Sequence, residues 1–281
     1  MTHPTDAVNP PRPVGVSRTA VVVAQARADE STRTDRLFTD PHAQVLVAAA
    51  GRIEGLSAAG KMAGTHFVLR TRFFDDLLGA AVDTGCHQVV LVGAGLDTRA
   101  FRLHWPPGVR LFELDLPDLL AFKDQVLAEA GADPTCVRVP VPVDLRDDWP
   151  TSLEAAGYDA TLPTVWLIEG VLMYLPSAAA DRLMERIGQL SRPGSRLGLE
   201  HANRAYMELP MMRKAKQRLS TTDAGWQSSV EDPVGWLGGH GWRAEVTSPR
   251  DLASRHGRTL PPVVDPDQVG GAQLWLVGAE R

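Results

Sequence analysis

The chain reads as an α/β protein: a doubly wound, mostly parallel sheet preceded by helices. Three observations say so. Residues 1–84 carry helical signals only, whereas from Gln88 onward strand-like runs alternate with helical segments. Alternation of that kind is the mark of βαβ units. The first strand, Gln88-Val89-Val90-Leu91-Val92, also runs straight into the turn Gly93-Ala94-Gly95, and a glycine turn after the first strand is where such folds take nucleotide-like cofactors.

Met1 to Pro13 is polar and proline-rich, lacks a signal-peptide core and predicts a frayed start. Ser17 reads as the cap of a first helix through residue 28, and Asp40-Pro41 introduces a second, short one through residue 50. Phe67, Phe74, Leu77, Leu78 and Ala81 recur at helical spacing and predict a third helix over about 65–83. Strands follow at 88–92, 109–115, 139–145, 164–168, 196–201, 242–247 and 273–277, with helices over 116–130, 151–156 and 178–190. The expected division is a helical cap over 1–84 and a cofactor-binding core over 85–281, with an insert at about 203–230. In that insert a Met- and basic-rich helix over 207–219 precedes a small polar loop over 220–229. The loop reads as a mobile lid, or as a loop pinned by Trp226. The basic run Arg213-Lys214-Ala215-Lys216-Gln217-Arg218 reads as a solvated helix face, with steering of an acidic substrate as the second reading.

With 281 residues, 44% of them apolar, the chain can bury a sizeable core. Its formal charge of −5 argues against nucleic acid or an anionic membrane as partner. Cys86 and Cys136 have neither CxxC spacing nor a nearby His cluster, so neither disulfides nor a metal site is expected, and a reducing cytoplasm fits. No apolar run reaches the roughly 18 residues of a membrane span. A homodimer is left open.

The chemistry lies at the strand ends. Asp115 follows the glycine turn by about 20 residues, where a carboxylate accepts from ribose hydroxyls. Asp144 ends the third strand and Glu169 the fourth. Three acids in a row suit an adenosyl cofactor with a cationic sulfonium and ammonium and repel a dinucleotide's phosphates. The third glycine of GxGxxG is also missing, which counts against an NAD-dependent oxidoreductase. Gly93, Ala94 and Gly95 would bring backbone against the methionine moiety, with Asp97 or Thr98 capping the helix start behind them.

The motifs Asp35-Arg36-Leu37-Phe38-Thr39-Asp40-Pro41, Arg70-Thr71-Arg72-Phe73-Phe74-Asp75-Asp76, Gly93 to Arg99, Phe112-Glu113-Leu114-Asp115, Asp144-Leu145-Arg146 and Glu169-Gly170-Val171-Leu172-Met173-Tyr174-Leu175 occur in this order. With them the chain resembles the leucine carboxyl methyltransferase-like group of S-adenosylmethionine-dependent O-methyltransferases, over roughly residues 15–200. The branch it looks most like is the bacterial one that includes tetracenomycin-type polyketide carboxyl methyltransferases. The resemblance implies a class I methyltransferase, Rossmann-like, with strand order 3-2-1-4-5-7-6, the seventh antiparallel, and S-adenosyl-L-methionine as cofactor. It makes Arg70 the cofactor-carboxylate arginine and Arg27 a weaker match to an N-terminal basic ligand. Asp115 with Leu116 would hold the ribose side, Asp144 the adenine amino group with Leu145 against the ring, and Glu169 the ammonium. Arg72 would pair with Asp75 or Asp76 on its own helix.

The implied reaction is methyl transfer to the carboxylate of a small polyketide-type metabolite. A carboxylate is ionised at pH 7 and needs no base, whereas a phenol does. Tyr174 would touch the reacting group. His201, closing the fifth strand beside Glu200 and read as pointing into the pocket mouth, is the base candidate for the alternative, a phenol or hydroxyl acceptor. A non-enzymatic adenosyl-ligand sensor is the remaining rival.

Overall fold

The computed structural model describes residues 16–53, 58–210, 212–213, 227–260, 262, 265 and 267–281. Three helices, α1 (Val16–Ser31), α2 (Pro41–Ala50) and α3 (Ala58–Asp83), precede a seven-stranded sheet. Its strands are β1 (Gln88–Val92), β2 (Arg110–Asp115), β3 (Val137–Pro142), β4 (Thr164–Ile168), β5 (Arg196–Ala202), β6 (Arg243–Thr247) and β7 (Leu274–Glu280). The order is β3-β2-β1-β4-β5-β7-β6, with β7 antiparallel to both neighbours, as the resemblance implies. Helices α4 (Arg99–Arg102), α5 (Pro117–Glu129), α6 (Trp149–Ala155), α7 (Ser177–Gln189), α8 (Arg204–Met207), α9 (Pro233–Gly239) and α10 (Pro249–Arg255) complete it.

Period-two alternation sorts the strand side chains onto two buried faces. Val89 and Leu91 join one apolar cluster with α1, α2, α3 and α5, while Val90 and Val92 join another with α6, α7 and α9. The first three helices thus share a core with the sheet. α3 lies against β4, β5 and β7, and two glycines set how close it comes. Gly198 and Gly278 are register partners on β5 and β7. A Cβ on Gly198 would sit 3.1 Å from Phe74 and 3.3 Å from Leu77, and one on Gly278 3.3 Å from Leu77. A bare backbone there lets α3 settle onto the sheet, which brings Arg70 and His66, one and two turns earlier, over Glu200.

Several local expectations shift. Helix α3 begins at Ala58, not near 65, and β3 is displaced toward Val137. The helix after the glycine turn is only four residues long: Thr98 sits at its N-cap, but its hydroxyl goes to Asp40 instead of capping. Met207 ends the short α8 and Pro210, Met212 and Arg213 are helical again, while the rest of the helix expected over 207–219 lies outside the described residues. The Trp226 loop, most of the basic run and the first 15 residues lie outside the described residues. On β3, the Val137 and Val143 amides bond toward β2, so strand alternation turns the Pro140 and Pro142 nitrogens to the outer edge. Among the described residues no helix is long and apolar enough to cross a membrane, and no group of three metal-ligating side chains gathers.

Candidate cofactor and methyl-acceptor site

The floor is the glycine turn. Gly93 (φ +68°) and Gly95 (φ +51°) take the left-handed conformation that glycine tolerates best, and the Gly93 and Ala94 amides both bond Leu114 O across to β2. Asp115, at the end of β2, accepts from Gly95 N at 2.6 Å through Oδ2 and from Leu116 N at 2.7 Å through Oδ1. A carboxylate oxygen has two lone pairs, so each still has one to offer. Burial outweighs those two amides and raises the Asp115 pKa above the usual value. Leu116 beside it is 43% exposed, an apolar surface for a planar ring to cover.

Asp144 lies just past β3 and is engaged by the Arg146 guanidinium at 2.5 Å and by the Arg146 amide. That pairing holds its pKa below the ordinary range. Leu145 packs half-buried on the α6–α7 side.

Above the floor runs a continuous chain of buried ion pairs. Arg27 on α1 donates to Asp40 at 2.8 Å and to Leu96 O at 2.6 Å; Asp40 also accepts from Thr98 at 2.6 Å and caps α2 through Ala43 N. Arg102 binds Asp75, and Arg99 binds Asp75 at 2.7 Å, Glu169 at 2.9 Å and Asp97. Arg70 lies 2.9 Å from Glu169 and 2.5 Å from Glu200, whose other oxygen meets His66 Nε2 at 2.7 Å. Burial alone would raise the Glu200 pKa, but Arg70 and His66 overcome it and bring it to about 2. Four guanidiniums thus face five carboxylates, with His66 set against the fifth.

Arg70 and Glu169 were expected to meet the cofactor's carboxylate and ammonium. Both are brought to the site, yet each holds the other, and Arg27 is tied to the turn beneath. Two donors are left over among the described residues: Arg102 Nε, and Arg70 Nε, which is near Glu169 Oε1 but has its N–H not aligned with it. Arg72 pairs with Asp76 on its own helix.

His201 is corrected more firmly. It is 2% exposed, on the face of β5 opposite Glu200, with its ring edge toward Trp236. Nδ1 accepts from Ala202 N at 2.9 Å, which assigns the proton to Nε2, 3.5 Å from Ser228 Oγ. Burial lowers its pKa to about 4. A base needs an open lone pair and a pKa near the working pH, and His201 has neither. Tyr174 lies in the turn Leu172–Tyr174 after β4, half-buried, its carbonyl accepting from Gln227. Sequence reasoning missed Glu200, Asp75, Arg99 and Asp40. The readable signal was an acid inside an apolar strand run, Leu197-Gly198-Leu199-Glu200, and paired charges one helical turn apart.

The residues fit an S-adenosyl cofactor: an acceptor pair at Asp115, an exposed Leu116, the Glu169 carboxylate for the ammonium and the unpaired Arg70 Nε donor for a carboxylate. Comparison with known proteins agrees. A family model described as leucine carboxyl methyltransferase matches residues 20–188. A "putative S-adenosyl-L-methionine-dependent methyltransferase" of Frankia alni is 44% identical over 99% of this chain and 99% of its own length. One of Streptomyces coelicolor is 47% identical over 89% and 92%. A solved DUF574 family protein from Streptomyces avermitilis superposes with a TM-score of 0.59 at 14% identity, over 92% of this chain and 96% of that one, and so shares the fold. Fold and site define an S-adenosyl-L-methionine-dependent class I methyltransferase, an enzyme of the EC 2.1.1 class. The chain belongs to the leucine carboxyl methyltransferase family.

Proposed function

We propose that the acceptor oxygen is a carboxylate of a small metabolite, a polyketide-type acid in keeping with the tetracenomycin-like branch, and that the product is its methyl ester. One observation carries this reading. His201, the base candidate, is buried, neutral and proton-bearing on Nε2, which favours an acceptor that arrives already ionised. Bound S-adenosylmethionine supplies an electrophilic methyl on a cationic sulfur. The chain's own residues would position and desolvate: Asp115 accepts the ribose hydroxyls beside Leu116, Asp144 and Leu145 take the adenine edge, and Gly93-Ala94-Gly95 lie against the methionine. Glu169 carries the charge opposite the ammonium, and Arg70, braced by Glu200, offers Nε to the carboxylate. The cofactor would supply its methyl group to the acceptor oxygen, and an acceptor that arrives ionised would need no residue of the chain to take a proton. The helical cap over the site and a cytoplasmic location belong to the same reading.

Labelled cofactor offered to a panel of metabolite acids and phenols tests it. Label lost on mild alkaline hydrolysis marks an ester; an alkali-stable product from a phenol rejects carboxyl methylation.

A further inference from the structure

Beyond the ends of β4 and β5 lies a third apolar cluster, separate from the two faces of the sheet. Met173, Ala202, Tyr206, Met212, Ala272 and Leu274 form it, with Tyr174, Met207 and Leu209 half-buried against it. Ligands of open α/β sheets bind outside the carboxyl ends of the strands, and a methionine-lined wall adapts to a bulky apolar shape. Tyr206, on α8, is 7% exposed. Its amide is capped by Asn203 Oδ1 at 3.0 Å, yet its phenol hydroxyl has no hydrogen-bond partner among the described residues. It is not among the fully enclosed unpaired side-chain atoms, so it can be reached from outside, and a reachable phenol donor takes a partner from there. Ala202, in the same cluster as Tyr206, lies two residues past Glu200 on β5, so Ala202 and Glu200 share a face of the strand. Tyr206 therefore packs beside the strand end that carries the Arg70–Glu200 pair.

We propose that the Tyr206 hydroxyl donates to the acceptor's carboxylate, and that Met173, Met212 and Leu274 form the wall for its apolar body. This rests on the carboxylate reading above and narrows it to an acid with a bulky apolar or aromatic frame. Burial keeps the phenol protonated, its pKa well above the ordinary tyrosine value, so it acts as a donor. One carboxylate oxygen attacks the methyl; Tyr206 holds the other. That second bond is at least as strong in the ground state as in the transition state, because the carboxylate loses charge as the ester forms. Tyr206 thus contributes to binding and not to the chemical step.

The test is calorimetric titration of 2-naphthoate into protein saturated with S-adenosylhomocysteine, comparing wild type with Tyr206→Phe. The dissociation constant of 2-naphthoate should rise tenfold or more in the variant. Methyl 2-naphthoate, which carries no charge, should bind both forms alike. Affinity for S-adenosylhomocysteine and the thermal midpoint should not fall, since no protein hydrogen bond is removed. In turnover of 2-naphthoate, KM should rise and kcat hold. Equal 2-naphthoate affinity in both proteins, or a midpoint lower by several degrees in Tyr206→Phe, overturns the Tyr206 assignment alone. Wild type that binds 2-naphthol and refuses 2-naphthoate overturns the carboxylate reading, and Tyr206's role with it. Wild type that binds neither overturns the apolar-acid class.

Discussion

Arg27 and Leu96 meet across 69 residues of chain: the guanidinium of α1 donates to the carbonyl just past Gly95 at 2.6 Å. The same arginine neutralises Asp40, so the first helix, the start of the second and the glycine turn are joined by one side chain. Arg27→Met should lower stability by about 3 kcal/mol, the low end for breaking a buried pair, because Asp40 keeps Thr98. It should also weaken S-adenosylmethionine binding, since the turn loses its tether. Unfolding by denaturant together with calorimetry checks both, and wild-type values for the two would remove Arg27 from the site.

Asp115→Ala removes a charge-assisted acceptor and leaves the Gly95 amide without its partner. S-adenosylmethionine binding should weaken by roughly 1.5–3 kcal/mol. NAD should give no binding heat at concentrations that saturate with S-adenosylmethionine; tight NAD binding would overturn the cofactor assignment.

Gly93→Ala combines two faults. The residue sits at φ +68°, and a Cβ there overlaps Val171 Cγ2. The left-handed conformation alone costs an alanine roughly 1–2 kcal/mol. Adding Val171→Ala should recover the overlap and not the backbone strain, leaving a double variant of intermediate thermal midpoint. Full recovery would mean that the glycine serves only to make room.

Acid should destabilise the fold in two stages. His201 falls from 6.5 to about 4 on folding, so the unfolded chain takes up its proton first, and stability declines as pH drops from 6.5 toward 4. Glu200 falls from 4.5 to about 2; its contribution is complete above 4.5 and is lost as pH drops toward 2. Each is on the order of 3 kcal/mol. Denaturant titrations of His201→Gln should flatten the upper stage, and those of Glu200→Gln the lower. Unchanged slopes in both would contradict the burial described.

Single-turnover methyl transfer should be flat from about pH 5 to 8 once an acceptor is in hand, with His201→Ala costing less than about tenfold. A rise between pH 6 and 8 that vanishes in His201→Ala, with chemistry as the slow step, would restore the histidine as a base and favour a hydroxyl acceptor.

The strands and the acids at their tips were legible because their signals are local: an apolar run, a glycine pair, an acid at the end. What the acids touch was not, since Arg70 and Glu200 stand 130 residues apart and the distance closes only through the Gly198–Gly278 seat for α3. Glu169 and Arg70 were therefore read as ligand groups and not as each other's partners. His201 was misplaced for a simpler reason: alternation turns it to the face opposite Glu200, and strand length alone does not say which face meets the cleft. Lys123 offers the converse lesson. It occupies the apolar stripe of α5, fully buried, because Glu113 on β2 is there to receive it at 2.7 Å.

The two prolines of β3 govern how the molecule behaves in company. Every second position on that strand's outer side would ordinarily present an amide to a passing chain, and Pro140 and Pro142 present none. A neighbour sliding alongside finds acceptors without matching donors, so strand addition, the usual beginning of fibrils and of sheet-extended oligomers, has no foothold on this flank. In a crowded solution the sheet ends where β3 ends, and copies of the chain that associate must do so through other surfaces.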